Sequence, residues 1–339
     1  DTEPPKRNNE QERASSQFGQ HPLVTVYLAR RLVIFAISLF AASLLVFLAL
    51  SVLPGDPAQA MLGTDATPEA LHQLRHQLGL DRPLYAQYLD WARGFVHGDF
   101  GVSATTQQPI APEIRQRLEV TGPLVLLALL LALAVALPTG VLAALRHRRL
   151  SGTSISAASQ IGIAIPEFWA GILLITIVSV RVGWLPAGSF PGWSHGVASS
   201  FEHLILPVIA LALVQAAVLV RFVRSAVLEV LREDFMRTAR AGGLTRSAAL
   251  RRHGLRNAST SIVTLLGLQI AGLLVGAVVI ERVFNLPGLG LGLLNGIDDR
   301  DTLLVQDIVM LLTATVLVVN LCVDLSYRVL DPRLRDAPR

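Results

Sequence analysis

Long apolar stretches alternate with short charged segments along most of the chain. A helix needs about 20 apolar residues to cross the roughly 30 Å hydrocarbon core of a bilayer. Six stretches reach or approach that length: residues 32–53, 122–145, 155–180, 204–220, 257–280 and 308–323, the last continuing to about Val329. Length separates such stretches from the buried helices of soluble proteins, which periodicity alone does not. The pattern therefore predicts six transmembrane helices in an all-α, polytopic membrane protein.

The composition agrees with this prediction. Hydrophobic residues make up 52% and charged residues 16% of the 339 residues, whereas soluble domains carry about 25% charged residues. The single lysine, Lys6, lies between Pro5 and Arg7, so the chain lacks the Gly-Lys-Ser/Thr sequence of a phosphate-binding loop. One cysteine, Cys322, excludes an intrachain disulfide. The composition disfavours a water-soluble globule, and the missing loop excludes a P-loop ATPase.

Basic residues favour alternate connections between the predicted spans. Segments 1–31, 146–149, 221–256 and 328–339 hold 21 of the 29 Lys and Arg residues. Because cytoplasmic loops are enriched in Lys and Arg, both termini are predicted to be cytoplasmic. The net charge of +4 therefore reflects topology, and nucleic acid is not expected as a partner.

This topology divides the chain into five regions. They are a disordered cytoplasmic tail (1–21), the first transmembrane helix (22–53), an extracytoplasmic helical subdomain (54–120), a transmembrane core (121–335) with a cytoplasmic loop at 225–256, and a C-terminal tail (336–339). A bacterial cytoplasmic membrane with several passes is the expected location.

Two short helices are predicted in the extracytoplasmic segment. Thr67 caps the first, with Pro68 at its first position, and the second starts near Pro83 and ends at Gly98. These helices lie on the outer membrane surface, meet a soluble partner or merely cap the bundle, and the pattern leaves these alternatives open.

An amphipathic segment follows the fourth span. Four apolar residues recur at helical spacing: Leu228, Leu231, Phe235 and Ala239. Gly242-Gly243 then breaks this helix, and Thr245 caps a second one that runs from Ser247 to about Asn257. From the pattern alone, such a helix either docks a partner protein or lies on anionic membrane lipid.

Several motifs occur in one order along residues 22–335. They are Leu53-Pro54-Gly55-Asp56-Pro57, Leu78-Gly79-Leu80-Asp81, Gly98-Asp99-Phe100-Gly101-Val102-Ser103, Ile165-Pro166-Glu167-Phe168-Trp169, the segment from Glu233 to Leu244, Gly267-Leu268-Gln269, Glu281-Arg282-Val283-Phe284 and Pro287-Gly288-Leu289-Gly290. Together they resemble permease subunits of bacterial ABC importers, in particular the first permease (DppB/OppB-like) of the dipeptide, oligopeptide and nickel family. Ser261 stands where that family usually has proline.

The resemblance implies a type I importer permease fold and a set of partners. A second homologous permease pairs with the chain, two ATPase subunits that bind ATP and Mg²⁺ dock from the cytoplasm, and a periplasmic or lipid-anchored binding protein delivers substrate. The chain itself is implied to hold no cofactor, metal or catalytic residue. The segment from Glu233 onward resembles the family's EAA loop, which docks on the ATPase. The docking residues are Glu233, Asp234, Phe235, Arg237, Thr238, Ala239, Arg240, Ala241 and Gly243.

Polar residues inside the spans are candidates for the substrate path, because a charge at mid-membrane costs about 2.5–3.5 kcal/mol on insertion scales. The candidates are Glu167, the adjacent Phe168, and Gln269. Asp324 is expected to pair with Arg221 or Arg224. Outside the membrane, the candidates for contact with the binding protein are Asp81, Gly98, Asp99, Gly101 and Ser103. His72 and His76 lie four residues apart, but no third ligand is spaced to complete a metal site.

Peptides are the leading substrate, with nickel, glutathione or oligosaccharides as alternatives within the same importer class. A stand-alone secondary transporter is the alternative of another class, and it would show inverted repeats and ion-coupling carboxylates. An intramembrane enzyme is disfavoured, since no HExxH motif or comparable constellation lies at membrane depth.

Overall fold

The computed structural model describes residues 21–52, 57–62, 66–77 and 79–330. The predicted terminal tails, apart from His21, and most of the motif at 53–57 lie outside these residues. No β-strand occurs in the described parts of the chain. The helices are α1 His21–Val52, α2 Pro57–Leu62, α3 Pro68–Gln77, α4 Leu84–His97, α5 Ile110–Leu145, α6 Leu150–Ala164, α7 Glu167–Leu174, α8 Val197–Val230, α9 Asp234–Ala241, α10 Arg246–Ala249, α11 Leu255–Phe284, α12 Leu289–Asp298 and α13 Thr302–Leu330.

Three shorter helical segments also occur in the described residues. A π-helix at Ile175–Arg181 continues α7, a 3₁₀ turn at Trp193–His195 precedes α8, and a π-helical stretch at Leu250–Gly254 joins α10 to α11. Within the part of the chain that the structure describes, five helices are long and apolar enough to cross a membrane: α1, α5, α8, α11 and α13. The bent pair of α6 and α7 supplies a sixth span. Each predicted apolar stretch falls on one of these six.

The third span is not the single helix that its apolar length suggested. Helices α6 and α7 meet at an angle of 96°. Pro166 has no backbone N–H and disfavours helical conformation in the residue before it, so Ile165 and Pro166 are both extended. The bend places Glu167 at the first position of α7 instead of inside a continuous helix.

The core is formed by α5 packed along α8. One face of α5 presents a buried residue every fourth position: Leu124, Ala128, Ala132, Ala136 and Gly140. A Cβ added at Gly140 would lie 2.7 Å from the Cβ of Val223. Such small residues let membrane helices approach closely, which compensates for the lack of a hydrophobic driving force between helices in lipid.

Helix α1 packs at the edge of the bundle, against α13. An ion pair joins the two helices: Nη1 of Arg31 donates to Oδ2 of Asp324 at 2.7 Å, and both side chains are about one-third exposed. The predicted pairing of Asp324 with Arg221 or Arg224 is therefore wrong. Helix α13 lies against α1 and α11, so the arginine within reach comes from the first span.

The two helices predicted between the first and second spans are present. Oγ1 of Thr67 accepts from the backbone N–H of Ala70 at 3.3 Å, and Gly98 ends α4 with φ = 77°. Helix α4 packs on the bundle: the ring of Tyr88 meets Phe47 of α1 edge-on, with centroids 5.5 Å apart. Nε1 of Trp91 donates to Oδ1 of Asp307 in α13 at 2.8 Å. Of the alternatives left open by the sequence, α4 at least caps the pair formed by α1 and α13.

Candidate docking surface and substrate path

We call residues 231–249 the docking segment, and the end of the bundle that carries it the docking end. The predicted stripe does not lie on one helix, because α8 stops at Val230 and α9 begins at Asp234. The intervening turn is closed by backbone bonds from Arg232 to Glu229 and from Glu233 to Val230. All four stripe residues nevertheless pack on one cluster at the docking end: Leu228, Leu231, Phe235 and Ala239.

Met236 fixes α9 to the bundle, a role that no sequence pattern indicated. Its side chain is 1% exposed and belongs to a cluster with Ala144, Val223, Val227 and Leu250. The cluster therefore joins α9 to the ends of α5 and α8. Burying a methionine side chain contributes about 1.5–3 kcal/mol, so a helix of only two turns is held in place.

Most of the predicted docking residues are displayed on the outer side of this segment. Those exposed are Glu233, Asp234, Arg237, Thr238, Arg240, Ala241 and Gly243. Phe235 and Ala239 are half-buried and face the chain's own cluster. Local bonds stiffen the exposed face, because Arg237 pairs with Asp234 at 3.2 Å and Oγ1 of Thr238 donates to the carbonyl of Asp234 at 3.1 Å.

The docking segment is tied to two spans. Three residues separate α9 from α8, and after α9 Gly243 turns the chain with φ = 91°. Oγ1 of Thr245 then accepts from the N–H of Ala248 at 3.3 Å and caps α10. The second helix predicted to end near Asn257 does not end there: a π-helical stretch leads into α11, which runs to Phe284. A force on α9 is therefore applied to α8 and α11 together.

Three polar side chains meet inside the bundle. Nε2 of Gln269 in α11 donates to Oε1 of Gln215 in α8 at 3.0 Å, and Nε2 of Gln215 is 3.4 Å from Oε1 of Glu167. Gly276 makes room for this carboxylate, since an added Cβ would overlap Oε2 of Glu167. We call Glu167, Gln215 and Gln269 the polar relay. Two of its members were predicted path residues, and the structure brings them together through a third.

Gln215 went unnoticed because it is a single polar residue in an otherwise apolar run, and nothing in the sequence indicates its neighbours. Phe168, in contrast, does not join the relay: its ring is about half exposed on the surface of the bundle. An apolar groove of about 770 Å³ runs beside the bend, lined mainly by α5, α6 and α8. Glu167, Gln215 and Gln269 are not among the residues that line this groove.

The predicted binding-protein contacts do not form one cluster. Asp81 precedes α4, whereas the other four follow it, and a helix of this length spans roughly 20 Å. Asp99 is exposed, and its Oδ1 accepts from the N–H of Gly101 at 3.1 Å. Ser103 is 1% exposed, and its hydroxyl donates to the carboxylate of Asp301. In this arrangement Ser103 supports the loop from inside and offers no surface to a partner.

A buried carboxylate organises the far end of the bundle, in a part of the chain where the sequence showed only family motifs. Glu281 is 0% exposed. Its Oε1 accepts from Oγ1 of Thr121 at 2.6 Å, and its Oε2 accepts from the N–H of Leu291 at 2.9 Å. Oγ1 of Thr121 in turn accepts from the N–H of Leu289 at 2.8 Å. This network pins the start of α12 to α5 and α11.

Histidine geometry gives no sign of a metal site. His72 and His76 lie on α3, and both are exposed. Among the described residues, no group of three or more His, Cys, Asp or Glu side chains is arranged to hold a metal ion.

Comparison with known proteins relates this chain to one family. The model for binding-protein-dependent transport system inner membrane components matches residues 136–336, and the model for the N-terminal part of such components matches 24–125. A probable peptide ABC transporter permease, y4tP of Sinorhizobium fredii, is 38% identical over 91% of this chain and 99% of its own length. The glutathione transport system permease GsiC of Escherichia coli K12 is 38% identical over 91% of this chain and 98% of its own length.

Proposed function

This chain belongs to the family of inner membrane components of binding-protein-dependent transport systems, and on that premise we propose that it imports di- or oligopeptides, with α9 as its contact to an ATPase. As a family member it is a multi-pass permease subunit of an ABC transport system, not an enzyme. It works with ATPase and substrate-binding subunits.

The proposal rests on how the docking segment is anchored and connected. Helix α9 is anchored by Met236 and shows a polar face to solvent, and its two ends lead into two different spans. A partner that closes on this face would move α8 and α11 as one body. Such a two-state bundle, biased by nucleotide on another subunit, is what alternating access requires.

The remaining arrangement follows the charge pattern and the family. The docking end faces the cytoplasm, as do both termini, and residues 54–120 lie on the outer side. A second homologous permease completes the pore. Two ATPase subunits bind ATP and Mg²⁺, and a periplasmic or lipid-anchored protein delivers the substrate. On the same grounds, the transmembrane core spans residues 121–335.

The substrate proposal rests on the polar relay and on two named relatives. One relative is called a peptide permease and the other a glutathione permease, and both substrates carry a free amino group and amide bonds. Glu167 supplies a carboxylate for an ammonium group, and Gln215 and Gln269 supply amides for peptide groups. Nickel would need a ligand cluster, and the described residues contain no such group of three.

Glu167→Gln is expected to weaken transport of peptides with a free amino terminus. The change keeps the size of the side chain and removes the charge that would pair with an ammonium group. Because a hydrogen bond to a charged group is worth about 1.5–3 kcal/mol, KM for uptake should rise about tenfold or more. This KM is measured from the uptake of a labelled dipeptide into proteoliposomes that contain the whole transporter.

Two controls isolate the charge in this experiment. Glu202→Gln removes a carboxylate from an exposed position of α8 and should leave KM unchanged. For an N-acetylated dipeptide, wild type and Glu167→Gln should have the same KM. Equal KM values for the free dipeptide in both proteins would remove Glu167 from the substrate path.

Co-purification tests the function as a whole. Affinity purification of the chain from its native membrane should bring down a second permease and two ATPase subunits. Proteoliposomes of that complex, with binding protein outside and ATP inside, should accumulate peptide. Uptake by the isolated chain under an ion gradient without ATP would instead indicate a secondary transporter, and this function would then be wrong.

A further inference from the structure

A basic pocket opens at the docking end, between the link from α5 to α6 and the docking segment. Its volume is about 430 Å³. Its lining residues are Leu145, Arg146, His147, Arg148, Arg149, Arg246 and Ser247. Arg246 belongs to α10, so the pocket brings together two parts of the chain that are about a hundred residues apart.

The pocket is strongly basic, with four arginines in its lining. Among the described residues, no carboxylate lies within 4.0 Å of Arg146, Arg148, Arg149 or Arg246. Burial lowers the pKa of Arg246, and the positive charges of Arg240 and Arg148 lower it further. Arg240 lies on α9, so the basic surface continues from the pocket onto the docking helix.

The backbone holds the pocket's arginines in a fixed turn. The N–H of Arg149 donates to the carbonyl of Arg146 at 2.8 Å, and the N–H of Gly152 donates to the carbonyl of Arg149 at 3.0 Å. Gly152 is needed for this fit, since an added Cβ would overlap the carbonyl oxygen of Arg146. None of these bonds uses an arginine side chain, and within the described ranges the three guanidinium groups have no ion-pair partner that would compete with another protein.

The opposite end of the docking helix carries the opposite charge. Glu229, Glu233 and Asp234 line a second opening of about 440 Å³, together with Arg232. Glu229 lies in the last turn of α8 and Asp234 begins α9, whereas the basic pocket adjoins the C-terminal end of α9. The docking surface is thus polarised along α9, acidic at one end and basic at the other.

We propose that the basic pocket is a second contact with the ATPase subunit and that it receives an acidic edge of that subunit while α9 occupies the neighbouring groove. The inference rests on the proposed function and adds the direction of docking to it. Complementary charge at an interface fixes register and excludes wrong orientations more than it adds affinity. An ATPase rotated end for end would bring its acidic edge against the acidic end of α9.

The position of the pocket favours a protein partner over a lipid headgroup. Ala144, just before the pocket, packs in the same cluster as Val230 and Met236, so the pocket lies level with α9. The first turns of α6 are rich in hydroxyl groups that bond to their own backbone, as Ser154 does to the carbonyl of Leu150 at 2.8 Å. These polar turns separate the pocket from the apolar part of the span.

The test removes the pocket's charge from the full complex. R146S/R148S/R149S should weaken retention of the ATPase about tenfold at low salt and flatten its dependence on salt, because screening acts on the charges that remain. The control R93S/R115S/R181S removes three exposed arginines far from α9 and should match wild type. Retention is measured in detergent by titrating purified ATPase onto immobilised permease pairs between low and high NaCl.

Three outcomes decide the matter. Equal affinity and equal salt dependence of the triple variant and wild type would overturn the inference. A difference that arises only in nanodiscs containing phosphatidylglycerol, and not in detergent or phosphatidylcholine, would assign the pocket to lipid and also overturn it. If wild type itself retains no ATPase, the proposed function fails as well. The double variant R148S/R149S serves if the triple variant elutes as aggregate, with a smaller loss expected.

Discussion

Gly243→Glu should reduce ATP-driven uptake to less than about a tenth of wild type while the protein still reaches the membrane. Gly243 is exposed in the turn after α9, with φ = 91° and no atom within 4 Å of an added Cβ. The free chain therefore has space for the side chain, and the backbone strain costs about 1–2 kcal/mol. The larger effect comes from the partner, because a charged side chain would stand between the docking segment and the ATPase groove. Uptake and ATP hydrolysis are measured on the same proteoliposomes.

Gly183→Glu is the matched control. Gly183 is exposed, also has positive φ at 71°, and also has no atom within 4 Å of an added Cβ, but it lies in the loop after α7. It therefore bears the same strain and the same new charge without touching the docking segment. Near-normal uptake by Gly183→Glu with loss in Gly243→Glu supports docking at residues 231–249. Wild-type uptake by Gly243→Glu would show that this turn does not meet the ATPase.

Gly290→Ala should cost about 3 kcal/mol of stability, the upper end of the range for overpacking a core. A Cβ at position 290 would lie 2.4 Å from the Cα of Val278 and 2.9 Å from Oε2 of Glu281. The nearer obstacle is backbone, so α12 must move away from α11. That movement stretches the bond from the N–H of Leu291 to Glu281 and leaves a buried carboxylate short of donors. Thermal unfolding in detergent, followed by size-exclusion chromatography, reports the loss.

Gly122→Ala makes the same chemical change where there is room. Gly122 lies inside α5, and an added Cβ meets no atom within 4 Å. Because alanine is favoured over glycine in a helix interior by about 0.5–1 kcal/mol, this variant should melt at or above the temperature of wild type. If Gly290→Ala melted at the same temperature as Gly122→Ala, α12 would be packed less tightly on Glu281 than its contacts indicate.

The sequence predicted the number of spans because a bilayer imposes a minimum apolar length, which composition reveals directly. The short helices around Thr67 and Gly98 were predictable for a similar reason, since capping residues act on their immediate neighbours. The bend at Ile165 and Pro166 was not predicted from apolar length, because its angle depends on how α7 packs. Local sequence signals thus predicted the helices but not the angles between them.

Contacts between distant elements were not predictable. Asp324 was assigned to an arginine of the wrong helix, because a charge pattern gives candidate partners without distances. Gln215 and Met236 were passed over, since one is a lone amide in an apolar run and the other an ordinary apolar residue. Both acquire their roles only when three or more helices converge on them. The docking residues were identified through family resemblance, and no periodicity would have separated Arg240 from any other surface arginine.

The unbroken course from α10 through the π-helical stretch into α11 has a mechanical consequence. From Arg246 to Phe284 the chain forms a beam roughly 55–60 Å long, with Gln269 near its middle and the Glu281 network clamping its far tip. A beam held at one tip and pushed at the other pivots, so a sideways push at α10 becomes a smaller sweep at Gln269 and almost none at Glu281. The Glu281 network would act as the fulcrum. The distance from Glu281 to Gln269, relative to the distance from Glu281 to α10, would set how far a given movement of the ATPase widens the passage.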